Sequence, residues 1–271
     1  MKDHLILHSI YQNTKTFNMN LKKTILLAAL LTLFLPGRAQ IRPNETLIFN
    51  GSYELSGMMT SLAQITMKTE PVKTSSKSYL RLSAQVATYT KWDSFFKIRD
   101  LYESYVHPYS LKPTLFKRNV YEGGYTKVEK YTFNAAGTQV ATVTQRRNRP
   151  QETGNVTISA NTLDAVTLVY KLRTVDLSKV AKGQSLRFSM IFDRKEHFVW
   201  VKMMGKETVS AGNLGKIECY KLSISAKTDK LRGVDKNLVW LSADAKRIPC
   251  MMKFSIPVGV GQVTLSKATG I

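Results

Sequence analysis

The sequence is poor in the residues that build metal and redox centres. Its 271 residues include two cysteines, Cys219 and Cys250, and four histidines. Two of those histidines, His4 and His8, lie in the first 39 residues, and the remaining pair, His107 and His197, stand 90 residues apart. Neither has a flanking Cys, His or Asp at ligand spacing, so a zinc site is not expected, and no motif for an organic cofactor is present. Phosphate-binding loops are missing too. The nearest match, Gly212-Asn213-Leu214-Gly215-Lys216, has the wrong spacing, lacks the following Ser/Thr and opens a strand rather than a helix, as a hairpin turn does. There is no Gly-x-Ser-x-Gly elbow, and no nucleophile has a local partner, so no catalytic residue is nominated. Long hydrophobic runs are confined to Thr24–Leu35, which is shorter than the roughly 20 residues of a membrane span.

Negative charge is scarce as well. Nineteen Asp and Glu face 40 Lys and Arg, for a formal net charge of +21. The apolar run follows Met19-Asn20-Leu21-Lys22-Lys23 and precedes Pro36-Gly37-Arg38-Ala39, the charged, apolar and small-residue parts of a secretory signal. Residues 1–39 are therefore expected to be a signal region with its true start at Met19 and cleavage after Ala39, and residues 40–271 a single domain with no transmembrane segment after processing. Removing residues 1–39 takes five Lys/Arg and one Asp from the totals and leaves +17. In a cell envelope that field favours acidic lipid, lipopolysaccharide phosphate or acidic glycan over nucleic acid, although a generic solubilising surface has the same composition. The tight basic cluster, Arg146-Arg147-Asn148-Arg149, sits in a loop ended by Pro150. Aromatics interleave with basic residues between Tyr121 and Tyr131, a pattern that strand alternation explains without a nucleic-acid partner.

Period-two alternation dominates what is present. Leu80, Leu82, Ala84 and Val86 share one face against Tyr79, Arg81, Ser83 and Gln85, and Ala63, Ile65 and Met67 repeat the pattern. Leu186, Phe188, Met190 and Phe192 alternate with Arg187, Ser189, Ile191 and Asp193, and after a short loop at Arg194-Lys195-Glu196 the chain resumes at His197, as in a β-hairpin. Turn signals fall at 134–137, 211–215 and near Arg232-Gly233. Residues 93–105 read as a turn of helix passing into a strand near Arg99. One true helix is expected at about 162–173, capped by Asn161 or Thr162, between strand-rich halves at about 45–150 and 183–270. About ten short antiparallel strands with one helix predict an all-β fold, a single flattened antiparallel β-barrel or a strongly curled sheet. The compartment permits a disulfide. If strands around 217–224, 238–242 and 247–255 form a meander, however, Cys219 and Cys250 lie about 10 Å apart in mid-strand, and two buried free thiols are the alternative.

Charged residues set among large apolar ones stand out in two stretches, 97–104 and 240–249. Structural ion pairs and turn bonds account for them; alternatively Arg99, Arg173 and Arg247 point into a cavity and grip an anionic head group bidentately. The same stretches carry a family likeness: Phe96-Lys97-Ile98-Arg99-Asp100 with Glu103-Ser104-Tyr105, then Leu111-Lys112-Pro113 and Phe116, then Asp164 through Tyr170-Lys171-Leu172-Arg173. The most specific piece is Val239-Trp240-Leu241-Ser242 with Asp244 and Arg247-Ile248-Pro249. In these the chain resembles the exported proteins of Domain of Unknown Function 3108, as seen in Bacteroides-like bacteria. The resemblance implies a flattened antiparallel β-barrel in the periplasm or associated with the outer membrane. It brings no activity, ligand or catalytic residue with it. The candidate ligand-binding residues are Arg99, Asp100, Glu103, Tyr170, Arg173, Trp240, Asp244 and Arg247. The expected function is non-enzymatic binding of an acidic lipid or glycan in a barrel groove; the alternative is a structural or assembly partner of an outer-membrane protein, using exposed strand edges or aromatic patches.

Overall fold

The computed structural model describes residues 41–271 apart from residues 56, 227–236 and 257–258. The signal region with its start at Met19 and cut after Ala39, and the turn near Arg232-Gly233, lie outside the described residues. Fourteen antiparallel strands form one sheet: β1 (Thr46–Leu55), β2 (Met58–Lys73), β3 (Ser78–Thr88), β4 (Arg99–Val106), β5 (Pro113–Glu122), β6 (Tyr125–Phe133), β7 (Gln139–Arg146) and β8 (Glu152–Thr157), then β9 (Ser185–Phe192), β10 (Lys195–Ser210), β11 (Lys216–Ala226), β12 (Leu238–Ser242), β13 (Pro249–Ile256) and β14 (Gly259–Thr269). The one α-helix among the described residues, α1 (Ala165–Arg173), separates the two runs.

Every strand pairs with its neighbour in sequence, except that β8 and β9 do not pair and β1 pairs with β14. Two meanders are thus fused through the first and last strands, from Thr46 opposite Thr269 to Tyr53 opposite Gly261. The order β8-β7-β6-β5-β4-β3-β2-β1-β14-β13-β12-β11-β10-β9 leaves β8 and β9 as two free edges. The expectation of a β-barrel is corrected by this: the sheet is open and flattened, and its curled form is the one realised. The hairpin loop expected at Arg194-Lys195-Glu196 is the two-residue turn Asp193-Arg194, since Lys195 already pairs with Phe192. Strands also outnumber the ten that alternation suggested, because outward-facing apolar residues such as Val128 blur the pattern.

Curling follows from burial. One face of the sheet carries Phe49, Leu82, Phe116, Tyr131 and Leu222, all at most 1% exposed, and α1 packs against β3, β4 and β9 together. Elements so far apart in the strand order can share one helix only if the sheet bends around it. The helix begins two or three residues later than its spacing suggested, because Asp164, not Asn161 or Thr162, is the N-cap. Its Oδ1 accepts from the Thr167 N–H (2.9 Å), while its Oδ2 accepts from Thr167 Oγ1 (2.7 Å) and from Ser104 Oγ (2.6 Å) on β4. One fully buried carboxylate therefore both starts the helix and fastens it to the sheet; burial raises its pKa against the pull of those three bonds.

The two edges meet without a continuous ladder. Leu163 makes a single parallel bridge to β9, donating to Ser189 O (2.9 Å) and accepting from Ile191 N–H (2.8 Å). Beside it the Asp193-Arg194 turn reaches into the inner face of β5 and β6. Arg118 Nη2 lies 2.6 Å and Lys127 Nζ 2.7 Å from Asp193 Oδ1, and Arg194 Nη1 lies 2.7 Å from Glu152 on β8. Glu129, 1% exposed, lies 2.5 Å from Arg118 and 2.9 Å from Lys127. Tyr131 Oη accepts from the Arg194 N–H (3.0 Å). Both turn residues have positive φ, +48° and +61°, which glycine or asparagine adopts more readily, so these contacts hold a strained two-residue turn in place. Burial works against the Asp193 charge, yet Lys127 and Arg118 hold its carboxyl below the usual range.

Replacing Asp193→Asn leaves two buried cations facing Glu129 alone. The expected loss is about 1–3 kcal/mol, less than for a fully buried pair because Asp193 is partly solvated, read from the urea midpoint. Amide exchange should rise first in residues 185–192, the β9 edge that the turn secures.

Candidate functional site

The eight residues nominated from sequence do not converge on one place. Arg99, at the start of β4, is bound to Asp93 through two hydrogen bonds, and its Nη1 also donates to Thr88 Oγ1 (3.0 Å) and to Ile98 O (2.6 Å). It ties down the loop between β3 and β4. Asp100, its neighbour, turns inward and accepts from the Tyr121 N–H (3.1 Å). Burial, opposed by that bond and aided by Glu122, lifts its pKa to about 6. Glu103 lies on the outer face, 2.7 Å from Arg81, which also pairs with Glu70.

Tyr170, Arg173, Asp244 and Arg247 gather around the C-terminal end of α1, and Trp240 stands apart from them. Arg173, 2% exposed, makes a two-pronged ion pair with Glu45, also 2% exposed, at 2.6 and 2.7 Å. Tyr170 is fully buried beneath it, with the guanidinium 5.4 Å from its ring centroid. Asp244 forms the turn after β12: its Oδ1 accepts from Ser242 Oγ (2.6 Å) and from the N–H groups of Lys246 (3.1 Å) and Arg247 (3.2 Å). Arg247, held at φ +46°, donates to Arg173 O (3.4 Å) and lies 3.5 Å from Asp176, while its buried Nε has no hydrogen-bond partner. Trp240 is 2% exposed; its Nε1 donates to Glu207 (3.3 Å), and Lys221 and Lys253 flank its ring at 5.3 and 5.9 Å. All three nominated arginines thus face carboxylates of the protein itself. Cys219 and Cys250 are free and buried, on β11 and β13, the two strands that flank β12.

The open space lies elsewhere. A cleft of about 550 Å³ opens at the rim where the β2–β3 turn, the β4–β5 loop and the β6–β7 turn come together. Its walls include Lys77, Tyr79, His107, Tyr109, Lys112 and Phe133, and no carboxylate is among its lining residues. Lys112 Nζ donates to Ala135 O (2.6 Å), which places the ammonium on the cleft wall. His107 Nδ1 accepts from the N–H groups of Tyr109 (3.4 Å) and Ser110 (3.3 Å), so Nε2 carries the ring proton and is left as the donor. Leu111 takes φ +57° while its side chain is buried, which turns the chain sharply enough to set His107 and Lys112 side by side. Sequence reasoning passed over these residues because they come from three loops; the stretch Leu111-Lys112-Pro113 was the one signal near them. Among the described residues no group of three or more His, Cys, Asp or Glu could hold a metal, and no helix is long and apolar enough to cross a membrane.

Comparison with known proteins adds the following. A family model described as a protein of unknown function, DUF3108, matches residues 52–266. None of the curated proteins matches the sequence. Among solved structures, a β-barrel-like protein of Domain of Unknown Function DUF1849 from Brucella abortus superposes with TM-score 0.56 at 10% identity, covering 85% of this chain and 99% of the other. That similarity extends to the fold alone. A protein from Bacteroides fragilis described as exported with a YmcC-like fold (TM-score 0.33, 9% identity, 85% of this chain and 99% of the other) and one from Parabacteroides distasonis described as a lipoprotein (0.29, 9%, 84% and 95%) align too loosely to bear on the fold.

Two measurements separate framework from binding surface. Arg173→Met should cost about 3–5 kcal/mol by stranding the Glu45 carboxylate, and Glu45→Leu with Arg173→Met should recover most of that loss in chemical denaturation. For Asp100 the folded pKa lies above the unfolded value of 3.8, so its stabilising contribution is complete below about 3.8 and is lost as pH rises through about 6. Asp100→Asn keeps an acceptor for Tyr121 and should remove this slope, leaving the variant more stable than the parent by about 2 kcal/mol at pH 8.

Proposed function

The chain belongs to the DUF3108 family of unknown function, and from that starting point we propose that it is an exported binding protein that takes an anionic amphiphile or acidic glycan into the cleft between the β2–β3, β4–β5 and β6–β7 connections. The observation that carries the reading is the composition of that cleft: two lysines, a histidine donor and three aromatic rings, without a carboxylate. Rings offer flat apolar faces to a sugar or the first carbons of an acyl chain, while ammonium groups meet a phosphate or carboxylate. Its volume lies within the range of small-molecule sites. Binding suits the lining, whose ammonium groups and rings are contact groups and whose histidine has no carboxylate among the lining residues to orient it as a general base. Export is supported by the Lys22-Lys23, Thr24–Leu35 and Gly37-Arg38-Ala39 succession, and the excess of basic residues suits an envelope rich in anionic groups.

Titration calorimetry with an acidic oligosaccharide and with a short-chain phospholipid should show binding that weakens with salt. Lys77→Ala and Lys112→Ala should each lower the affinity about tenfold, as expected for a charge-assisted contact. Affinity unchanged in the double variant would remove the cleft from consideration.

A further inference from the structure

The opposite rim of the sheet is built for a different contact. Six of the ten exposed large hydrophobic side chains among the described residues collect there: Met58 and Met59 after the β1–β2 turn, Phe95 and Phe96 in the β3–β4 loop, and Tyr121 and Tyr125 on either side of the β5–β6 turn. Phe95 is 89% exposed and Met58 70%. In an antiparallel meander these three connections necessarily fall at one end, and the cleft connections at the other.

The β3–β4 loop lies across this end and is fastened to its neighbours. Tyr89 Oη donates to Asn50 Oδ1 (2.9 Å) on β1, and Trp92 Nε1 donates to Ser61 O (3.0 Å) on β2. On the other side the Gly123 N–H donates to Lys97 O (2.9 Å), and the Phe96 ring covers Gly123 so closely that an added Cβ would sit 2.4 Å from it. Asp93 and Arg99 brace the loop from below. The apolar tips therefore project from a fixed base. A flexible loop could fold such rings inward; this one cannot.

Cations ring the tips. Lys91 lies 5.6 Å from the Trp92 ring centroid and Lys97 6.0 Å from that of Tyr121, and Arg147 Nη1 donates to Gly124 O. With Arg149, four exposed basic side chains face two exposed carboxylates, Glu54 and Glu122, while the Asp93 charge is already taken by Arg99. Protruding Phe and Met tips, Trp and Tyr at their base and Lys and Arg around them match the layers of an anionic lipid surface, where apolar groups enter the acyl boundary and cations meet head groups. A protein partner would need a groove or a flat apolar patch, and separated tips at the ends of turns give neither.

We propose that this rim docks on the surface of an anionic lipid bilayer, with Met58, Phe95 and Phe96 entering the interface and Lys91, Lys97 and Arg147 contacting head groups. The site is independent of the cleft. Docking by this end turns the β2–β3, β4–β5 and β6–β7 connections away from the lipid.

The test is sedimentation of the full chain with vesicles of phosphatidylcholine and with vesicles of an equal mixture of phosphatidylethanolamine and phosphatidylglycerol, with amide exchange measured on the bound protein. The anionic vesicles should bind more tightly, and residues 89–97 and 121–125 should become protected. Phe95→Ser and Met58→Ser, both at solvated positions, should each reduce partitioning about tenfold. Lys91→Glu with Lys97→Glu should abolish the preference for anionic vesicles. Lys77→Ala with Lys112→Ala should leave partitioning untouched, so failure of the cleft reading and failure of this one are distinguishable. Equal exchange at 89–97 with and without vesicles overturns the proposal, as does a self-associated chain that Phe95→Ser returns to monomer.

Discussion

The fold depends on joining two sheet edges, β8 and β9, that share no backbone ladder; the one backbone bridge at the seam runs from Leu163, beyond the end of β8, to β9. A barrel closes by continuing its ladder, whereas here β8 and β9 are brought together by ion pairs and by one residue, Leu163. Arg118, Lys127 and Glu129 project from β5 and β6 toward the Asp193-Arg194 turn, and Glu152 on β8 takes the arginine of that turn. Such a cluster is expensive to bury and adds little net stability, so its contribution is to choose one geometry among several. Without it, hydrophobic burial would still curl the sheet, but nothing would fix where the edges stop. The helix, pinned to β4 by Asp164 and Ser104, and the strained turn both take their positions from that junction.

Much of this architecture was legible in the sequence because strand alternation is a local signal. Leu80, Leu82 and Ala84 on one face, the hairpin at 185–210 and the helix before Arg173 could all be read from short windows. The open seam was not, since closure is decided by residues 60 and more positions apart, such as Lys127 and Asp193. The cap was missed for a similar reason. Thr162 and Asn161 are good cap residues by type, but Thr162 is engaged by Glu196, and Asp164 alone meets both the helix and β4.

The candidate residues divide along the same line. Arg99, Arg173, Asp244 and Arg247 stood out because charges set among apolar residues have something to hold, and in the structure each holds another part of the chain: a loop, Glu45, a turn, the end of α1. The cleft residues carried no comparable signal. Lys77, His107 and Lys112 are ordinary loop residues until three connections converge, and the positive φ at Leu111 that helps arrange them has no counterpart in side-chain type. The rim hydrophobics were visible as residues but not as a group, because Met58, Phe95 and Tyr125 come to one end of the sheet only through strand order.

The pairing of β1 with β14 bears on how the molecule comes into being. A chain that emerges N-terminus first, from a ribosome or through a translocation channel, can assemble the β1–β8 meander at once, yet β1 then presents an open row of backbone donors and acceptors to any passing strand. Its proper partner, Gly259–Thr269, is the last of the fourteen described strands to appear. The β1–β8 half of the sheet therefore keeps one edge uncovered until the residues of β14 have been delivered. Any factor that shields β1 during that interval would govern yield without touching the finished fold.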